Sequence, residues 1–267
     1  VKIEAPLMYF VLIVILEVFI IAFVLVINYY RKIGSPFSWR WSTSYAKNLL
    51  NDCWPLILSG ASITIYMQID QIMIKEMLGF EELGHYAVAV RLSEFWYFIP
   101  IAITTSFFPA ILEAKTQNTF LYRDRLQKIY DILVFLAVII AIPITFFGDE
   151  IILYIFGKDY LEAASVLVIH IWAAVFVFLN NAAWKWYIAE NLQKLANVRL
   201  VAGLIINVLL NYLLIPLYGI NGAAIATVVS RAISSYAGNI LLKKTRPLFF
   251  QQTKALLIFF NLRRIFK

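Results

Sequence analysis

Cysteine, histidine and charge are all scarce in this chain of 267 residues. Cys53 is the single cysteine, and His85 and His170 are the two histidines. The chain therefore cannot close an internal disulfide, and it has no Cys/His cluster with the spacing of a zinc site. It also lacks a glycine-rich phosphate loop, a nucleophile elbow, a zinc-protease helix and an EF-hand loop. An enzymatic reading is thus left without a motif, and no cofactor or metal is implied. Charged residues make up only 15% of the chain, against 62% hydrophobic. A soluble domain of this length carries more charge than that.

What remains is apolar and comes in blocks. Each block runs for about twenty residues, enough for a helix to cross a hydrocarbon core of ~30 Å. The short alternating segments of a membrane β-barrel are missing. The expected fold class is all-α, a polytopic membrane helix bundle with about seven transmembrane helices. The spans are drawn at Pro6–Asn28, Trp54–Leu78, His85–Pro109, Ile129–Phe147, Ala164–Trp184, Leu200–Leu217 and Gly222–Leu242. Between the last two, LLIPLYGINGAAIAT predicts a tight turn. Pro216 stops one helix, Gly219 permits positive φ, and the small residues from Gly222 let two backbones approach. A short surface helix is expected within Gly148–Ala163.

The net charge of +7 has a topological pattern. Of 23 basic residues only Lys2 and Lys158 fall on one set of loops, while Lys75, Arg91 and Arg231 lie within spans. All the others crowd the opposite loops, which the positive-inside rule assigns to the cytoplasm together with the C-terminus. With no basic soluble domain present, nucleic acid is not an expected partner. Ser38–Asp52 and Pro247–Lys267 interleave aromatics with cations and read as amphipathic helices at the membrane surface. The first residue is Val1 and the first span follows almost at once, so the chain reads as part of a longer protein.

Charge inside spans is costly, roughly 2.5–3.5 kcal/mol per group on insertion scales, and it normally faces a bundle interior or a wet cavity. Asp70 lies in the second span, and Arg91 and Glu94 in the third. Helical rise puts all three in one depth band. Arg91 and Glu94, three residues apart, share a helix face. The expectation is a polar cavity lined by this trio, in which the Asp70 carboxylate pairs with Arg91, while Gln68, Gln71, Ser59, Ser62 and Thr64 add polar surface to the second span. The competing reading is an ion pair that only staples the two helices. Glu17 and Arg231 sit near the midplane of the first and seventh spans, where transporters bind substrate or coupling ion. Arg231 suits phosphate. Lys75 and Lys185 are near enough to span ends to snorkel. His170 reads as a satisfied interior histidine, and Asn180, Asn181, Asn207 and Asn211 as hydrogen-bonding partners between helices.

Several stretches carry a resemblance. WPLILSGASITIYMQIDQIMI with YAVAVRLSEFWYFIPIAITTSFFPAILEAK is similar to the start of the C-terminal half of Wzx-type O-antigen and polysaccharide flippases, in the multidrug/oligosaccharidyl-lipid/polysaccharide exporter superfamily. LYIFGKDYLEAASVLVIHIWAAVFVFL, AENLQK and IPLYGINGAAIAT follow in order, so the similarity covers nearly the whole chain. The resemblance implies two six-helix lobes around a cavity that opens alternately to each side. It also implies transfer of undecaprenyl-diphosphate-linked oligosaccharide repeat units across the bacterial inner membrane. Residues 1–30 would be the last helix of a first lobe, 31–53 a cytoplasmic interlobe linker, 54–246 the six-helix second lobe and 247–267 a cytoplasmic tail. The implied partners are membrane lipids, the lipid-linked glycan, the missing first lobe, and a proton or sodium ion for coupling. Asp70, Arg91 and Glu94 fall on the helix pair that faces the cavity in this family. Cations there would suit a diphosphate, and carboxylates would suit the coupling ion. The alternative is a drug or cation antiporter of the related multidrug-extrusion family, whose acidic cavity would not contain arginine. A seven-helix receptor matches in span count alone.

The topology reading makes Cys53 a reporter. A membrane-impermeant maleimide is expected to leave Cys53 unlabelled in intact cells, and to label an Asp159→Cys variant made on a Cys53→Ser background. The reverse labelling pattern would invert the assigned orientation.

Overall fold

A computed structural model of the chain describes residues 7–35 and 42–260. Ser38–Trp41 of the expected linker helix and residues 261–267 of the expected tail lie outside the described residues. The described residues form helices joined by short turns, without a strand, in an all-α membrane bundle. The chain divides into two units, one up to Leu56 and one from Ile57.

The first unit is dominated by α1, Leu7–Lys32. It is apolar all round, and large side chains such as Leu12, Leu16, Phe19 and Phe23 are exposed along its length. Such a surface is tolerated where the surroundings are lipid. Arg31 and Lys32 close the last turn, where cations complement the carbonyl end of the helix dipole. Glu17 is exposed on this helix. Thr43 begins α2, which runs to Leu78 and so extends into the second unit.

The second unit holds the rest of the bundle. After a turn at Gly79 (φ 103°) come α3, Phe80–Glu94, and α4, Phe98–Gln117, joined by one 3₁₀ turn at Phe95–Tyr97. Together they make the expected third span. Asn118 caps α5, Thr119–Phe146, by accepting a 2.7 Å hydrogen bond from the Phe120 amide. This satisfies one of the orphan donors of the first turn. The loop after α5 contains α6, Gly148–Ile155, the short helix expected within Gly148–Ala163. Next come α7, Ala163–His170, and α8, Ala173–Ala189, which together form the expected fifth span.

α9, Gln193–Ser235, cannot be one straight rod. Forty-three residues at ~1.5 Å each would reach about twice the thickness of a hydrocarbon core. It breaks at Gly219 (φ 58°, ψ −140°). Beyond the break the chain folds back on itself, so that Asn207 bonds to Thr227 and Ser230. The expected sixth and seventh spans are therefore the two arms of a hairpin. Among the described residues, five stretches are long and apolar enough to cross a membrane, and this hairpin is one of them.

Two apolar clusters hold the unit together. One gathers Tyr130, Leu133, Phe178, Leu179 and Tyr187 from α5 and α8, with Leu248 of α10, Arg246–Leu256. The other joins Ile74, Tyr86, Ile152, Leu167, Ile215 and Ala223. The buried face of α10 meets protein rather than lipid. Leu248, Gln252 and Ala255 are buried, Gln251 donates to the Arg123 carbonyl, and Phe249 stacks on Tyr236. On the same segment Phe250 and Leu257 stay exposed, so it also keeps apolar side chains outside the bundle.

The hairpin tip leaves no room for a side chain at Gly222. A Cβ there would lie 2.2 Å from the Leu214 carbonyl oxygen, a backbone atom that cannot rotate away. Gly222→Ala is therefore expected to cost about 1–3 kcal/mol, as overpacking does, and to lower the melting temperature in detergent. An unchanged melting temperature would mean that the arms do not approach this closely.

Candidate functional site

Each helix of the α2–α3 pair has two different faces. On α2, Asp70 and Ile74 are buried one turn apart, while Gln68 and Gln71 line a recess. On α3, Tyr86, Ala89, Val90 and Ser93 face inward, while Ala87, Arg91 and Glu94 line the same recess as the glutamines. Helical spacing thus turns Arg91 and Tyr86 to different sides of α3.

The recess, about 400 Å³, holds Gln68, Gln71, Arg91, Glu94 and Phe156. Asp70 belongs to the interior. It is only 6% exposed, and its carboxylate is bonded by neutral groups. Tyr86 Oη donates at 3.0 Å and Asn211 Nδ2 at 2.7 Å, and the Thr227 hydroxyl donates as well. The expected Asp70–Arg91 pairing is thereby corrected. Arg91 points into the recess beside Glu94, on the opposite face of α3 from Tyr86.

The carboxylate therefore connects α2 and α3 with both arms of α9. Behind it the polar network continues. Asn211 also donates to Asn207 Oδ1 at 3.2 Å. Asn207 in turn reaches Thr227 and Ser230 at 3.4 and 3.3 Å. Asn211 Oδ1 is buried and has no hydrogen-bond partner. Carboxylate, hydroxyl and amide oxygens thus converge in one place, a donor set suited to a hard cation or to a proton. Nearby, His170 Nδ1 is 2.9 Å from Ser93 Oγ, and its ring meets Tyr86 edge to face.

Arg231 is the cation that bears electrostatically on Asp70, Glu94 and His170, while Arg91 bears on Glu94. Arg231 also lines a cavity of about 280 Å³ with Asn180, Asn181, Trp184, Asn197 and Arg199. Two guanidinium groups, three amides and an indole suit an anionic, hydroxyl-rich ligand. Arg199 is partly committed to structure. It donates to Tyr187 Oη, Asn239 Oδ1 and the Ser234 carbonyl, and it lies over the Tyr187 ring.

Of the residues expected from sequence, Asp70, Arg91, Glu94 and Arg231 all lie in the second unit. Glu17 lies in the first, exposed on α1. Sequence reasoning missed Thr227, Tyr86 and Arg199. Thr227 and Tyr86 sit in apolar runs where a single hydroxyl carries no signal. Arg199 looked like one more cytoplasmic charge at a span end.

Comparison with known proteins agrees with this architecture. A family model described as polysaccharide biosynthesis protein matches residues 9–165. The probable low-salt glycan biosynthesis flippase Agl15 of Haloferax volcanii is 25% identical over 194 residues, which cover 71% of this chain and 40% of that protein. The lipid II flippase MurJ of Bacillus subtilis is 27% identical, with 71% of this chain and 37% of that protein covered. The probable flippase AglR of Haloferax volcanii is 29% identical, with 64% and 36% covered. The chain spans 40% or less of the length of these curated relatives. A match over more than half its residues, on an all-helical membrane bundle, makes this chain a member of the polysaccharide biosynthesis protein family.

Proposed function

We propose that the chain forms part of a flippase for lipid-linked glycans. Residues 54–246 would supply a six-helix second lobe, residues 1–30 the last helix of a first lobe, and 31–53 the cytoplasmic link between them. The substrate of this reading is an undecaprenyl-diphosphate-linked oligosaccharide repeat unit destined for O-antigen, capsule or exopolysaccharide. It would be turned over in the bacterial inner membrane by alternating access, with the C-terminus in the cytoplasm.

The observation that carries this reading is the buried Asp70 carboxylate, bonded by neutral donors from α3 and both arms of α9 and overseen by Arg231. A bare ionised carboxylate within a bundle is costly. A cation that arrives and leaves changes that cost, and with it the packing of the helices that share the carboxylate. Asp70 is the coupling residue of this proposal, taking a proton or a sodium ion. Arg231 senses the same charge and lines the amide-rich cavity, where the diphosphate and first sugar would sit. Arg91 and Glu94 form a second polar station in the recess. The paired arginines of the Arg231 cavity favour this reading over an antiporter for cationic drugs, which such a cavity would repel.

Flipping of a fluorescent lipid-linked oligosaccharide in proteoliposomes tests these roles. Arg231→Ala is expected to slow flipping roughly tenfold or more, equal to about 1.4 kcal/mol of lost interaction. Arg231→Lys is expected to recover part of that loss, since a point charge still attracts phosphate without the bidentate fork. Unchanged flipping in both Arg231→Ala and Arg91→Ala would remove the phosphate-binding role. Asp70→Asn is expected to abolish the response to an imposed proton or sodium gradient. A gradient response as large as that of the wild type would dismiss Asp70 as the coupling residue.

A further inference from the structure

A second constellation lies away from the Asp70 network, at the outer end of the bundle. Glu82, His85 and Glu162 each present a ligand atom, and these atoms lie within 4.8 Å of one another. Glu82 and His85 stand three residues apart on the first turns of α3, so they share a face. Glu162 comes from the end of the outer loop, next to the 3₁₀ turn Lys158–Tyr160. The His85 side chain is only 12% exposed, whereas Glu162 is 71% exposed.

The protons of His85 make this arrangement informative. Its Nε2 lies 3.1 Å from the Asp159 carbonyl oxygen. A carbonyl only accepts, so Nε2 carries the hydrogen. In the neutral ring, Nδ1 then holds a bare lone pair. That nitrogen is buried and has no hydrogen-bond partner. Glu162 Oε2 lies 3.5 Å from it. A lone pair this close to carboxylates is repelled unless something positive lies between them. A histidine whose far N–H is anchored on a backbone carbonyl, with its other nitrogen unpaired beside acidic groups, is the usual arrangement of a metal-ligating imidazole.

We propose that Glu82, His85 Nδ1 and Glu162 bind a divalent transition ion of the zinc class, with water completing the coordination. One imidazole and two carboxylates match such an ion better than magnesium or calcium, which prefer oxygen alone. Donors about 2.1 Å from one ion stand no more than ~4.2 Å apart, so closing the site takes a small swing of the exposed Glu162. The ion clamps the loop before α7 onto the start of α3. His85 already packs edge to face on Tyr160, and Tyr160 meets Phe156. Phe156 in turn lines the recess that holds Arg91 and Glu94. The metal thereby fixes one wall of that recess. This inference stands independently of any transport activity.

Calorimetric titration of the tag-free, metal-stripped full chain with Zn²⁺ tests the site. One saturable site is expected, weakened roughly tenfold or more in Glu162→Gln and in His85→Ala and not competed by Mg²⁺. Glu162 is exposed, so its variant keeps the fold even if the His85 variant does not. Amide exchange across residues 157–162 is expected to slow with Zn²⁺ in the wild type and not in Glu162→Gln. Absence of saturable binding, or equal affinity in wild type and Glu162→Gln, would reduce the cluster to an imidazolium–carboxylate ion pair and overturn the proposal. Binding without slower exchange would overturn the clamp.

Discussion

The Asp70 carboxylate is the point on which the second unit turns. It is a formal charge in an apolar bundle, held by one phenol, one amide and one hydroxyl from three separate stretches of chain. Removing a partner from such a group leaves a buried acceptor unsatisfied, at about 1–3 kcal/mol each. The α2–α3 hairpin and the α9 hairpin are therefore tied through a bond set that responds to charge. An apolar contact of the same size would hold the helices equally in every state. A carboxylate that gains or loses a cation does not, and this difference makes the network suitable for coupling.

The rest of the unit reads as support for that arrangement. The close approach at Gly222 and the small residues Ala223 and Ala224 bring the arms of α9 together, so that Asn207, Asn211 and Thr227 meet at one level. At the basic end, charged side chains fasten helix ends to one another. Lys115 lies 3.1 Å from Glu190 and also donates to the Ala189 carbonyl, Tyr122 donates to Glu190, and Arg125 donates to the Ala110 carbonyl. These bonds hold helix ends in place, whereas the Asp70 network ties the helices together in the interior. Arg231 bears on that network and also lines the amide-rich cavity, so under the proposed reading charge at Asp70 and an anion in the cavity would act on the same guanidinium.

Much of this was legible in the residues. Twenty-residue apolar blocks, the proline and glycines at 216–222 and the lopsided Lys/Arg distribution lead directly to a helical membrane bundle with a terminal hairpin. Asp70, Arg91, Glu94 and Arg231 stood out because charge is rare in such blocks. The partner of Asp70 was not legible. Depth along a helix follows from counting residues, but two helices can share a depth and still turn their polar groups to opposite sides. Facing is settled by packing, and the third participant, the α9 hairpin, is more than a hundred residues away. Hydroxyls such as Thr227 and Tyr86 are invisible to hydropathy, although they complete the site.

The central claim is that the Asp70 carboxylate changes its cation occupancy within its network. Infrared difference spectra test it most directly, taken between sodium and potassium buffers and between acidic and alkaline buffers, for the wild type and Asp70→Asn. The account predicts a carboxyl band that shifts in one of the two comparisons and vanishes in Asp70→Asn. A band insensitive to both sodium and pH would contradict it and leave Asp70 as a fixed staple between helices.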